Sequence, residues 1–203
     1  VIEAYPAAES VAKRSIDIAI AAVLLIFLAP LLLLIALAIF VESSGPILFM
    51  QRRTGLHGRT FRICKFRTMT VMEDGGFMRH ASKDDRRVTA VGAFLRKTHW
   101  DELPQLFNVL RGEMALIGPR PHALAHDELY SQYLPHYWSR FSVRPGLTGL
   151  AQVDGFRGEV HELDCMRKRI EADLRYVREW SLKLDFIILL RTLPLLIVDR
   201  KAY

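Results

Sequence analysis

Cysteine is nearly absent. Only Cys64 and Cys165 occur among 203 residues, and two lone thiols match neither a disulfide framework nor a zinc-ligand spacing. A small disulfide-stapled secreted domain is thereby excluded, and a reducing compartment suits the chain. Long uncharged runs are scarce as well. A single stretch, Ile18 to Val41, carries no charge, and its roughly 24 residues are long enough to cross a bilayer. Everything after it is too polar to do so. No small-residue cleavage site follows the run and acidic Asp17 stands at its entry, so it does not read as a signal peptide. The chain opens on Val1 without a methionine, which reads as a portion of a longer protein.

Positive charge is present in excess: 28 Lys and Arg against 22 Asp and Glu, a formal +6 and an isoelectric point near 9.5. A partner rich in phosphate fits that balance, whether nucleic acid, an anionic membrane surface or a nucleotide. Nucleic acid ranks last, because the membrane-length run has no use there.

Three regions follow from composition. Residues 1–11 read as a linker or tail, 12–42 as a membrane segment, and 43–203 as a catalytic-sized domain on one membrane face. Lys13 and Arg14 precede the apolar run, and Arg52, Arg53, Arg59, Arg62, Lys65 and Arg67 follow it. Positive residues mark the cytoplasmic side, so a simple span would violate that rule at one end. Pro30 offers a resolution by breaking the helix, giving a re-entrant helix–break–helix that leaves by the face it entered. A proline-kinked spanning helix remains the alternative.

The fold class expected is α+β, mainly helical, with a small strand hairpin and amphipathic interfacial helices. Gly55 and Gly58 bracket a turn between a strand beginning at Ile47 and the alternating run Phe61 to Arg67. Lys65 and Arg67 share one face of that run, placed either to grip phosphate or simply to meet solvent. Residues 72–87, with His80, read as an exposed loop. Helical periods follow at Val91, Phe94, Leu95 and Thr98, and at Leu103, Leu106, Phe107 and Leu110. Aromatic residues from Tyr130 to Phe141 read as core beside His126 and His136, which lack a metal constellation. Glu162 to Trp180 reads as a solvated helix. Leu182 to Val198, with Lys183, Asp185, Arg191 and Pro194 inside it, suits an interfacial helix better than a second span.

Between the two helical periods lies Asp101-Glu102-Leu103-Pro104. Asp101 is placed to cap the next helix, with Glu102 and the tolerated Pro104 in its first turn. Capping alone would explain the pair. An ionised Asp is equally a nucleophile or a ligand for a divalent metal, and a neighbouring Glu can coordinate or accept a proton. Two stiffened arginine turns keep it company: Gly118-Pro119-Arg120-Pro121 and Arg144-Pro145-Gly146. Arginine's planar fork suits diphosphate. Acidic pair, basic strand and two fixed arginines together point towards phosphoryl transfer. The rival is a membrane-surface module that binds anionic lipids.

These residues also carry a resemblance. Lys65-Phe66-Arg67-Thr68-Met69, Asp101 to Leu110, Gly118-Pro119-Arg120-Pro121 and Arg144 to Gln152 resemble the bacterial sugar transferases, the monotopic polyprenyl-phosphate phosphoglycosyl transferases. The match runs from about Ala12 to the C-terminus, and four motifs in this order are highly specific. Gly155-Phe156-Arg157-Gly158-Glu159 is similar to the branch that moves glucose 1-phosphate to undecaprenyl phosphate. The resemblance implies a bacterial inner-membrane enzyme working on the cytoplasmic face with Mg2+. It implies Asp101 as nucleophile towards a UDP-sugar, with UMP expelled and a phosphosugar-aspartyl intermediate formed. Glu102 would assist the lipid phosphate, and both carboxylates are the metal candidates. Lys65, Arg67, Arg96, Arg120, Arg144 and Gln152 are the substrate-binding candidates. Partners are then UDP-glucose, with UDP-galactose or a UDP-N-acetylated sugar as alternatives, undecaprenyl phosphate and membrane lipids; a homo-oligomer stays open. The product would start exopolysaccharide or capsule assembly. Three departures bear on the pocket: Ala29 where the family often has Ser, His99-Trp100 where Ser-Leu is common, and Asp154 where Asn is usual.

Overall fold

Helix α1 spans Val11–Glu42 and begins because Ser10 accepts a hydrogen bond from the Lys13 backbone N–H, a donor the first turn leaves unpaired. The computed structural model describes residues 10–70, 85–156 and 163–197. Most of the loop expected over 72–87, His80 included, lies outside the described residues, as do residues 1–9 and Arg157 to Glu159. Pro30 sits inside α1 without ending it. Helical structure thus continues on both sides of Pro30. Proline withdraws one N–H and crowds the carbonyl four residues back, here Ile26, while the flanking apolar residues keep their own bonds.

The same domain holds α1 at both ends. Near its start Arg14 donates to the carbonyls of Val109 (2.7 Å) and Leu110 (3.0 Å). Near its end Ile35 and Ile39 join a cluster with Phe66 and Leu95, and Glu42 accepts from the Val91 N–H at 2.9 Å. Between these anchors Ala21 is buried and Leu24 and Leu25 pack against the core, while one face of the helix points outward. Val23, Ile26, Phe27, Leu33 and Leu34 are 65–79% exposed.

Strands β1 (Leu48–Thr54) and β2 (Thr60–Phe66) form the expected antiparallel hairpin, in register from Leu48↔Phe66 to Thr54↔Thr60. Helices α2 (Ala90–Thr98) and α3 (Gln105–Arg111) follow the two apolar periods. Thr89 caps the first through the Gly92 N–H, and Gly112, at φ 84°, closes the second in the left-handed conformation that glycine adopts freely. Strand β3 (Ala115–Ile117) then pairs in parallel with β4 (Gly146–Thr148). Around and after them come α4 (Leu124–Ser131), a tight turn at Tyr137–Ser142, α5 (Leu150–Val153), α6 (Leu163–Glu179) and α7 (Leu182–Ile197). Mainly helical α+β is what the described residues show. The expected solvated helix buries one face through Met166, Ile170 and Tyr176, and α7 buries Ile188 while leaving Phe186, Leu190 and Leu193 exposed.

A buried polar junction ties α1 to α6 and α7. Lys13 Nζ lies 2.8 Å from Asp185 Oδ2, while Tyr176 donates to Oδ1 (2.8 Å) and Trp180 Nε1 to Oδ2 (3.0 Å). Lys13→Met leaves that carboxylate buried without its cation, a defect that costs about 3–5 kcal/mol. We expect a clear fall in the thermal unfolding midpoint in detergent. The double variant Lys13→Met/Asp185→Asn should recover part of it, because of the two carboxylates that Lys13 serves only Asp17, 3.7 Å from its Nζ, is then left without the cation.

Candidate active site

The acidic pair stands on a turn that three elements press into place. His99 adopts the left-handed region at φ 58° and ends α2, and Trp100–Glu102 then form one 3-10 turn. Trp100 packs edge-on against Phe94, ring centroids 5.6 Å apart, which seats the turn on α2. Helix α3 begins only at Gln105, after Pro104, with no side-chain cap. Asp101 is therefore not the N-cap expected of it. The turn satisfies its own backbone, with Glu102 N–H donating to His99 (3.2 Å) and Leu103 N–H to Trp100 (3.3 Å). Its carboxyl is left for other work.

Strand β2 supplies the first cation. Asn108, fully buried on α3, accepts from the Cys64 N–H (2.9 Å) and donates to the Arg62 carbonyl (2.7 Å). Those two bonds dock the strand edge onto α3. Lys65 then reaches Glu102 Oε1 at 2.7 Å. The second cation comes from the turn after β3. Gly118 N–H donates to Thr148 (2.9 Å) and Gly146 N–H to Pro119 (3.0 Å), with the two glycine backbones too close for a Cβ on either. From there Arg120 closes on Glu102 with both arms of its fork, NH1 to Oε2 at 2.9 Å and NH2 to Oε1.

The two carboxyls consequently behave differently. Burial raises Glu102, but the charges and hydrogen bonds of Arg120 and Lys65 outweigh it and hold the group well below the ordinary carboxylate range. Burial pushes Asp101 up to about 6, against the pull of Lys65. Among the described residues Asp101 makes no side-chain hydrogen bond or ion pair. One carboxylate is fixed by two cations; its neighbour is available to react.

Lys65, Asp101, Glu102 and Arg120 thus meet, and Arg96 lies half-buried on the helix leading to them. The other candidates lie elsewhere. Arg67, 4% exposed, donates to the carbonyls of Ser43 (2.6 Å) and Ser44 (2.8 Å) and fastens the end of α1. It falls one residue past β2, so the alternation that aims Lys65 no longer governs it. Arg144 Nε donates to the Gly112 carbonyl at 3.0 Å, just past the C-terminal end of α3. Gln152 Nε2 donates to Leu147 at 3.3 Å, braced within its own loop. Asp154 pairs with Arg175 and Arg191, joining α6 to α7. No group of three or more metal-ligating side chains occurs among the described residues.

One group the sequence did not disclose lies directly behind Arg120. Arg140, His122, Asp127, Tyr137 and Asp173 form a buried polar network. Four of its members fall within residues 122–140 and Asp173 lies on α6, and no motif spacing unites them.

A model of the bacterial sugar transferase family matches residues 8–199. UDP-glucose:undecaprenyl-phosphate glucose-1-phosphate transferase of Caulobacter vibrioides is 54% identical over 191 residues, covering 94% of this chain and 72% of that protein. The protein of the same name in Escherichia coli K12 is 47% identical, covering 94% of this chain and 41% of its own length. UDP-N-acetylgalactosamine-undecaprenyl-phosphate N-acetylgalactosaminephosphotransferase of Aeromonas hydrophila is 42% identical, covering 89% and 42%. The chain therefore spans most of the first relative and about two fifths of the other two.

Proposed function

This chain belongs to the bacterial sugar transferase family, and from that premise we propose that it transfers a hexose 1-phosphate from UDP-glucose to undecaprenyl phosphate, releasing UMP. The observation that carries the reading is the Asp101 carboxyl, without a side-chain hydrogen bond among the described residues, beside a Glu102 held by Lys65 and Arg120. Asp101 attacks the phosphorus that bears the sugar, and the bond from that phosphorus to the UMP oxygen breaks. A phosphosugar-aspartyl anhydride results. An oxygen of the lipid phosphate then attacks the same phosphorus, forming the lipid-linked diphosphosugar and restoring Asp101. Splitting the reaction lets a water-soluble donor and a lipid acceptor use one site in turn.

Arg120 spends two of its five N–H donors on Glu102, so the rest are available to phosphate oxygens. Asp101 and Glu102 are the residues assigned to magnesium, since Glu102 Oε2 accepts one bond and keeps lone-pair capacity, and phosphate and water complete such a shell. Bound there, the ion supplies neutralisation of charge as phosphorus is attacked.

The structure of α1 supports one-sided membrane insertion. Both its ends are held by one polar domain, so both lie on the face where that domain sits, while the exposed apolar middle enters the bilayer. The exposed apolar face of α7 lies against the same surface. A nucleotide-sugar donor places that face in the cytoplasm, at the bacterial inner membrane, and the lipid-linked sugar starts a glycan such as an exopolysaccharide.

UMP release is measured from UDP-glucose, UDP-galactose and UDP-N-acetylgalactosamine with magnesium and undecaprenyl phosphate. UDP-glucose is expected to turn over fastest. Release from none of them refutes the transferase reading, and a clear preference for the N-acetylated donor overturns the choice of sugar.

A further inference from the structure

We propose that Arg140, which touches none of the acidic pair, is a positioning residue that sets the grip on Glu102 by fixing the backbone of Arg120. The inference rests on the reading of Asp101 and Glu102 as the transfer site. Arg140 is 1% exposed, and one guanidinium nitrogen, NH2, donates both to the Arg120 carbonyl at 2.6 Å and to Asp173 Oδ2 at 2.7 Å. The other, NH1, lies 3.0 Å from His122 Nδ1 and 3.8 Å from Asp127 Oδ1. Asp127 is held in turn by the Thr54 and Tyr137 hydroxyls, each at 2.6 Å.

Two buried carboxylates from separate helices, Asp127 on α4 and Asp173 on α6, thus flank one guanidinium. Its position is set by the fold, and Arg120 receives that position through a backbone bond. On the other side of the residue, Gly146 N–H holds the Pro119 carbonyl. Arg120 is pinned before and behind, and Pro119 and Pro121 restrict the backbone between those points. From that fixed backbone its side chain reaches Glu102.

The geometry of the fork is what makes Arg140 specific for this task. A planar guanidinium spans His122 on one arm and the Arg120 carbonyl with Asp173 on the other. A lysine ammonium keeps the charge between the carboxylates but is a single point that cannot span both sides. Arg140→Lys therefore separates positioning from charge balance. Displacing a clamping group by about 1 Å is enough to cost up to a hundredfold in rate.

The test is a double-mutant cycle on the full chain in detergent, read as kcat and KM for UMP release from UDP-glucose. Wild-type turnover is measured first: a silent wild type refutes the parent reading, whereas an active wild type with an unimpaired Arg140→Lys refutes this inference alone. With folding matched by thermal unfolding, Arg140→Lys is expected to lower kcat by about 10–100-fold and to move KM by less than about threefold. In an Arg120→Ala background the same substitution should lower kcat by less than about threefold, because its effect passes through Arg120. An equal loss in both backgrounds, or a loss that vanishes when corrected for folded fraction, overturns the proposal. Should Arg140→Lys not fold, Asp173→Asn is read in the same cycle; it keeps the size of the side chain and loosens the fork, with a smaller loss of the same non-additive kind expected.

Discussion

Asp101→Asn is expected to abolish transfer while leaving the fold untouched. The substitution keeps the shape of the side chain and removes the nucleophilic oxygen, so UMP release should fall by about 10⁴-fold or more. Asp101 makes no side-chain hydrogen bond among the described residues, and its carboxyl is raised to about 6 by burial. Replacing it with a neutral amide therefore removes a desolvated acid without breaking a pair, and the thermal midpoint should hold or rise slightly. The decisive measurement uses UDP-glucose labelled in the sugar, with no lipid acceptor. Wild-type protein should retain label through a covalent bond; Asp101→Asn should retain none. Equal labelling of the two would show that another residue is the nucleophile.

Arg120→Ala is expected to have the second largest effect, a fall in kcat of about 10²–10³-fold, the usual loss when one preorganised charged donor is removed from a reacting centre. Glu102 would keep Lys65 alone, and the two-armed contact that orients it would be gone. Arg120→Lys should recover little of the loss, because an ammonium cannot bond both carboxylate oxygens from one fixed direction. A kcat for Arg120→Ala within a few fold of wild type would show that the clamp on Glu102 is incidental to transfer.

The parts of the molecule legible from sequence are those whose cause is local. The uncharged run marked α1, glycine spacing marked the β1–β2 turn, and apolar periods marked α2 and α3. Pro30 has helical structure on both sides of it, because losing one backbone bond does not outweigh the bonds around it in an apolar run. The pairing of β3 with β4 left no trace, since strands of 3 residues are too short to show an alternation. Asp101 looked like a cap because Asp before a helix commonly is one; the 3-10 turn at Trp100–Glu102 moved the helix start to Gln105 and released it.

Residue chemistry by itself determined that this chain holds a membrane-length apolar segment, an acidic pair and a supply of arginines suited to phosphate. Tertiary structure alone decided which cations serve the pair. Lys65 and Arg120 reach Glu102, whereas Arg67 fastens the end of α1 and Arg144 the end of α3. The reason is physical: every arginine offers the same charge and the same fork, so its partner is chosen by where strands, turns and buried networks bring it. For Arg120 that choice rests on a parallel strand pair and on Arg140 behind it, two features made by contacts between segments distant along the chain.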